Sequence, residues 1–240
     1  MPEYATEQNE CHRKIVELVL EAYLIARSAI VGAAEVLIRE GANTCEAVNK
    51  LEQRLDEIDS CVDEQVADAI SNSGPEQARD LLAYVKVMVD LERIGDLAQS
   101  FVSRAIALHG RIGTEDNNML LKMCMALQVM LRDGTEAFAN RNLETAITII
   151  RADLELDRFR NLIVLRHTEE AHTDARESIH VIALAQCLER AGDHAKNLAE
   201  EVCHMVSGHT VRHSARRNSV CLEQMYLEHL FERHAISTIK

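Results

Sequence analysis

Tryptophan is absent from the 240 residues, and aromatic side chains of every kind make up only 3%. A core must therefore be assembled from Leu, Ile, Val, Ala and Met, which the 47% apolar content can supply. Chain breakers are equally scarce. Nine glycines and two prolines leave little to interrupt long helices, which favours an all-α protein. No apolar run approaches the roughly 18 residues of a membrane span. The N-terminal Met1-Pro2-Glu3-Tyr4-Ala5-Thr6-Glu7 has neither the basic region nor the apolar stretch of a secretion signal. Seven cysteines, an odd number without regular spacing, offer no disulfide framework. These absences lead us to expect a reduced, cytoplasmic protein without direct membrane insertion.

Positive charge is also short. With 26 basic against 39 acidic residues the net charge is −13. Such a balance disfavours general nucleic-acid binding, which needs cations against the phosphate backbone, and opposes docking on an anionic membrane surface. Cations and basic protein faces are the better-matched partners.

What the chain does contain is a motif used twice. Leu91-Glu92-Arg93-Ile94-Gly95-Asp96-Leu97-Ala98 returns as Leu188-Glu189-Arg190-Ala191-Gly192-Asp193-His194-Ala195. The offset is 189 − 92 = 97 for the glutamates and 193 − 96 = 97 for the aspartates, so a unit of roughly 100 residues is duplicated. In each copy a Glu and an Asp four positions apart share one helix face. The glycine before each Asp costs a mid-helix position about 0.8–1 kcal/mol relative to Ala. Its retention points to a closely approaching neighbour helix or a crowded polar site.

Apolar periodicity predicts six helices, over about 12–39, 44–70, 75–108, 115–139, 143–170 and 173–206, preceded by a loose segment 1–11. Thr44, Thr114 and Thr173 are the expected N-caps, and Ser71-Asn72-Ser73-Gly74-Pro75 the clearest turn, with Pro75 opening the third helix. The expected organisation is two tandem antiparallel three-helix units, 1–111 and 112–213. A tail, 214–240, follows them, in which Val220 to His234 is expected to form a short helix.

The second helix carries four acidic side chains in one row, Glu52, Asp56, Asp59 and Asp63. Across the short turn they face Glu92 and Asp96 of the third helix, so that hard oxygen ligands from adjacent helices can hold a divalent or trivalent cation, the alternative being a solvated acidic face paired with Arg54, Arg79 or Arg93. The fifth helix repeats the pattern only in part. Asp153 and Asp157 accompany Glu189 and Asp193, but in an alignment that the sequence leaves open by a turn Arg160 and Val164 stand where Asp59 and Asp63 stand in the first unit, and Lys196 is placed to neutralise the second pair without metal. Cys203, His204, His209 and His213 cluster across a helix end in no zinc spacing, and read as surface or capping residues.

The doubled Leu-Glu-Arg-x-Gly-Asp, followed by Gly208-His209-Thr210-Val211-Arg212-His213, resembles the PhoU family of bacterial phosphate-uptake regulators over roughly residues 12–213. The resemblance implies paired three-helix bundles whose carboxylate pairs bind Fe, Zn, Mn or Mg. In this chain those pairs are Asp59, Asp63, Glu92 and Asp96, and then Asp153, Asp157, Glu189 and Asp193. It further implies a cytoplasmic, commonly dimeric protein that restrains phosphate uptake and phosphate-starvation signalling, contacting the ATPase subunit of a phosphate ABC transporter and a sensor histidine kinase. The tail after His213 departs from the family pattern. A metal-dependent hydrolase or metal-storage protein is the competing class. No Gly-x-Ser-x-Gly, phosphate-binding glycine loop, Glu-x-x-His pair or His-Glu-x-x-His occurs to support it, and we expect no enzyme.

Overall fold

In the computed structural model the described residues are 2–39, 42–108, 110–169 and 175–208. They form six helices and no strand: α1 (Pro2–Ile38), α2 (Ala42–Ile70), α3 (Pro75–Leu108), α4 (Thr114–Asn140), α5 (Leu143–Glu169) and α6 (Ala175–Ser207). The expected tail helix and the tail itself lie outside the described residues. The first three helices pack mutually into one bundle, and the last three into a second. The bundles join along two seams, α1 against α4 and α3 against α6, the latter the broadest pairing between the halves.

Element ends differ from the periodicity reading where local chemistry permits. The first helix begins at Pro2 rather than His12, because nothing after Pro2 interrupts it and proline suits a first helical position. Thr44 does not cap α2. It lies inside the first turn, where its methyl group would touch a Cβ on Gly32 at 3.6 Å. Thr114 likewise is the first residue of α4, whose N-cap is Gly113 without a side-chain bond. Glu115 and Asp116 in the first turn complement the helix dipole instead. Thr173 lies outside the described residues.

Other ends follow their sequence signals. Pro75 opens α3, and the turn before it closes through Asn72 N–H to Ala69 O at 3.2 Å. Asn142 caps α5, its Oδ1 accepting from the amides of Glu144 at 3.1 Å and Thr145 at 3.2 Å. Arg141 takes the left-handed conformation (φ 49°) that ends α4, a position usually given to glycine. Its guanidinium is held by Asp80 of α3, so the side chain contributes a contact that glycine lacks.

The core is mainly aliphatic, as the composition requires, with Phe101 of α3 buried in it and an aromatic cluster at the seam. Tyr23 of α1, Tyr84 of α3 and Phe138 of α4 meet there, with ring centroids 5.7 Å apart for Tyr23–Phe138 and 5.5 Å for Tyr84–Phe138. Three of the chain's aromatics thus meet where the two bundles join. Met125, an expected core position of α4, is exposed, while Met123 and Cys124 beside it are buried. The rest of that face is buried as the periodicity requires, at Leu120, Leu127, Met130 and Leu131.

The motif glycines explain how tightly the helices approach. A Cβ on Gly95 would lie 2.5 Å from Cδ1 of Leu55 on α2, and one on Gly192 would lie closer still to Cδ1 of Leu156 on α5. Both leucines are 0% exposed, in an interior whose side chains are close-packed, so their Cδ1 atoms must shift against neighbours. Overpacking of this kind costs about 1–3 kcal/mol, only part of which is offset by the roughly 1 kcal/mol that alanine regains in helix propensity. Gly95→Ala and Gly192→Ala are each expected to lower the urea midpoint with unchanged m-value. Equilibrium denaturation followed by circular dichroism checks this.

Candidate metal centre

The two glycine–leucine contacts set the register of the duplication. Gly95 and Gly192 differ by 192 − 95 = 97, whereas their partners Leu55 and Leu156 differ by 156 − 55 = 101. With that offset Glu52 and Asp56 correspond to Asp153 and Asp157, Asp59 to Arg160, and Asp63 to Val164. On the other helix Glu92, Asp96 and Gln99 correspond to Glu189, Asp193 and Lys196. The two units therefore present the same backbone positions with different charges.

In the first unit the side chains flanking the contact are crowded carboxylates. Glu52 feels the charges of Asp56 and Asp96, Asp59 those of Asp63 and Asp56, and Glu92 those of Asp96, Asp56 and Asp59. Burial first, and this mutual repulsion second, raise all three above the ordinary carboxylate range. Compensation is thin. Arg93 reaches Asp96 at 2.9 Å and Glu92 at 3.4 Å from a largely exposed position, and the neutral Gln99 amide donates to Glu52 at 3.3 Å. One Asp59 carboxylate oxygen, Oδ1, is buried without any hydrogen-bond partner.

That donor set fits a cation. A buried, unpartnered oxygen is costly by about 1–3 kcal/mol or more when charged, and a hard metal ion both satisfies it and neutralises its neighbours. Among the described residues no three His, Cys, Asp or Glu side chains already converge in a metal-holding arrangement. The carboxylates face one another across α2 and α3 and would have to rotate inward to share an ion.

The second unit does not fit in the same way. Lys196 Nζ donates to Asp153 Oδ2 at 2.6 Å, and Arg160 Nη2 donates to Glu189 Oε1 at 3.1 Å. Asp153 is 3% exposed. Burial raises it toward the neutral form, but the Lys196 contact works against that shift, and Lys196 itself is held charged by Asp153, Asp193 and Glu200 in spite of its own burial. A contact this short is a charge-assisted bond between ionised partners. Asp157 and Asp193 stand close enough to raise Asp153 further.

Polar groups that the sequence reading missed lie deeper. Asp90 of α3 accepts from His194 Nδ1 at 2.8 Å and Asn197 Nδ2 at 3.1 Å of α6, and Lys86 reaches the buried Glu201 at 3.2 Å. A signal existed: Asp90 shares the buried helix face of Val87, Ile94 and Leu97, and His194 replaces the repeat-equivalent Leu97. In the second bundle His167 bridges Asp116 at 3.1 Å and Ser178 at 3.0 Å. The order of groups is that of a nucleophilic relay, but the His167 side chain is 2% exposed and Ser178 is buried, so the network ties α4, α5 and α6 together. Cys203 is a core residue at 0% exposure rather than a surface one. His204 is partly buried, its Nδ1 only 3.5 Å from Glu201 yet without a hydrogen bond. His209 and His213 lie outside the described residues.

The raised carboxylates of the first unit carry a pH dependence. The folded state binds protons there more tightly than the unfolded chain does, so stability falls as pH rises through the folded pKa values and is greater below them. Metal-stripped protein is expected to gain melting temperature as pH falls toward the ordinary carboxylate range, because the raised groups take up protons before free carboxylates do. Asp59→Asn should flatten that gain, which thermal unfolding at constant ionic strength measures.

Comparison with known proteins agrees with the duplicated architecture. The PhoU domain model matches residues 19–105 and again residues 120–202. The phosphate-specific transport system accessory protein PhoU homolog of Pseudomonas putida is 27% identical over 208 residues, covering 81% of this chain and 80% of that protein. PhoU homolog 1 of Thermotoga maritima is 27% identical over 209 residues, covering 85% and 87%. Among solved structures, PhoU from Pseudomonas aeruginosa superposes with a TM-score of 0.77 at 22% identity, covering 84% of this chain and 99% of that one. The phosphate transport system regulatory protein PhoU from Streptococcus pneumoniae gives 0.79 at 17%, covering 85% and 99%. These two likenesses concern the fold alone. The two domain matches fall one on each bundle and together span most of the chain, which belongs to the PhoU family.

Proposed function

We propose that the chain is an accessory regulator of a phosphate transport system, acting by docking and not by turnover. The observation that carries this reading is the double PhoU-domain match, one copy per bundle, together with relatives named as phosphate-specific transport system accessory proteins over about four-fifths of both chains. No described helix is long and apolar enough to cross a membrane, in keeping with a cytoplasmic protein that reaches the transporter from the side of its ATPase subunit. A sensor histidine kinase is the second partner, and a homodimer the working unit.

The surface supports such a role. Leu24, Val31 and Ile38 recur every seven residues along α1 and are exposed, a line suited to a partner helix or a second copy. The acidic balance of the whole chain, −13, steers basic protein faces toward it. Asp59, Glu92, Asp96, Glu52 and Asp63 would hold the metal ion, whose contribution is charge neutralisation between α2 and α3. A hard ion such as Mn, Mg or Fe suits this all-oxygen set better than zinc, which favours nitrogen and sulfur ligands.

Removal of the gene is expected to raise phosphate uptake and starvation signalling in phosphate-replete cells, and immobilised protein to retain the transporter ATPase subunit. Radiolabelled phosphate uptake and co-purification check both. Turnover of phosphoesters or polyphosphate with added Mn, Fe or Zn, lost on Asp96→Asn, would replace this reading with that of a metal-dependent hydrolase.

A further inference from the structure

We infer that the two halves of the duplication are not equivalent toward metal: the second half carries its own counter-ions, Lys196 and Arg160, and only the first half takes a cation from solution. The inference rests on the metal-binding reading above for the first half. For the second it stands on contacts within the chain.

At seven equivalent positions the first unit has Glu52, Asp56, Asp59, Asp63, Glu92, Asp96 and Gln99, six carboxylates and no cation. The second has Asp153, Asp157, Arg160, Val164, Glu189, Asp193 and Lys196, four carboxylates and two cations. The substitutions fall where they neutralise most directly. Gln99 donates to Glu52 at 3.3 Å, and its counterpart Lys196 donates to Asp153, the counterpart of Glu52, at 2.6 Å. Thus one hydrogen bond of the scaffold is retained while its donor gains a full charge. Arg160 replaces Asp59, the residue with the orphaned oxygen, and reaches Glu189, the counterpart of Glu92, at 3.1 Å.

A metal ion entering the second unit must displace these partners. Lys196 is only 20% exposed at its side chain and Arg160 32%, so expelling them separates partly buried pairs and places cations beside the incoming ion. In addition, Val164 removes the ligand that Asp63 supplies in the first unit. The consequence is a molecule with one metal-responsive end and one end whose α5–α6 contact is permanently closed.

Manganese(II) titration of the chelator-treated full chain, followed by electron paramagnetic resonance of free Mn(II), tests this. Saturable binding should be lost in Asp59→Asn/Glu92→Gln and unchanged in Asp153→Asn/Glu189→Gln. The double variant Arg160→Asp/Lys196→Gln, which restores the first unit's pattern, should acquire an additional class of bound ion. Loss of binding in Asp153→Asn/Glu189→Gln overturns the inference. If the unaltered chain binds no Mn(II), the metal reading of the first unit fails, and thermal unfolding in chelator then decides the asymmetry alone. There Asp59→Asn should raise the melting temperature by about 2–4 °C for each kcal/mol of repulsion relieved, and Asp153→Asn should lower it on the same scale. Shifts of the same sign in both overturn the inference.

Discussion

Two leucine side chains seated against two bare helix backbones set how closely α2 approaches α3 and α5 approaches α6, and with it the crowding of the motif carboxylates. Gly95 admits Leu55 and Gly192 admits Leu156, which draws α2 onto α3 and α5 onto α6 more closely than any side-chain-bearing residue at those points would allow. The motif carboxylates lie one position after and three before each glycine, and the acidic row of α2 lies three before and one and four after Leu55. The residues three before and four after share the face of the contact, and those one after stand at its flank. Apolar packing, worth about 1.5–3 kcal/mol for each fully buried leucine, therefore forces ionisable groups together that would otherwise separate.

The two halves resolve that forced proximity by different means. In the first, repulsion and burial push Glu52, Asp59 and Glu92 toward their protonated forms and leave an oxygen of Asp59 without a partner. The strain is bearable because Asp56 and Asp63 stay exposed and Asp96 is only partly buried, where water screens them. In the second, Asp153 is enclosed, and screening by water is replaced by Lys196 and Arg160. An enclosed carboxylate without such a partner would leave an uncompensated buried charge, a cost of about 3–5 kcal/mol.

Much of this was readable from the chain. The scarcity of glycine, proline and aromatics, with apolar residues at three and four, was enough to establish six helices and their order, and the Leu-Glu-Arg-x-Gly-Asp pair established the duplication. The apolar lines expected at three and four spacing, Leu91, Ile94, Ala98, Phe101, Ala105 and Leu108 on α3 and Val181, Leu184, Leu188, Ala191, Ala195, Leu198 and Val202 on α6, are all buried. Helix starts were less legible, because Thr44 and Thr114 are good capping residues wherever they stand and the chain entered each helix one turn or one residue earlier. The register of α2 against α5 was ambiguous, since acidic residues four apart recur along both helices and only contact with Gly95 and Gly192 singles out Leu55 and Leu156. The role of Asp90 was not legible, because no local spacing relates it to His194 or Asn197. Its partners lie more than a hundred positions away in the sequence.

The seam between the halves shows why the duplication no longer has interchangeable parts. By the offset of 97 the counterpart of Asp90 is Cys187, and the counterparts of His194 and Asn197 are Leu97 and Ser100. The symmetric partner of the Asp90 network is therefore lost, and the surviving one crosses from α3 to α6 in a single place. Apolar faces slide by small amounts at little cost, but a buried carboxylate with two donors at 2.8 and 3.1 Å has one arrangement. That network, with Lys86 on Glu201 further along the same seam, pins the register of one bundle on the other. With the bundles held in one relative register, the two acidic faces are distinct environments, and Arg160 and Lys196 stand in one where Asp59 and Gln99 stand in the other.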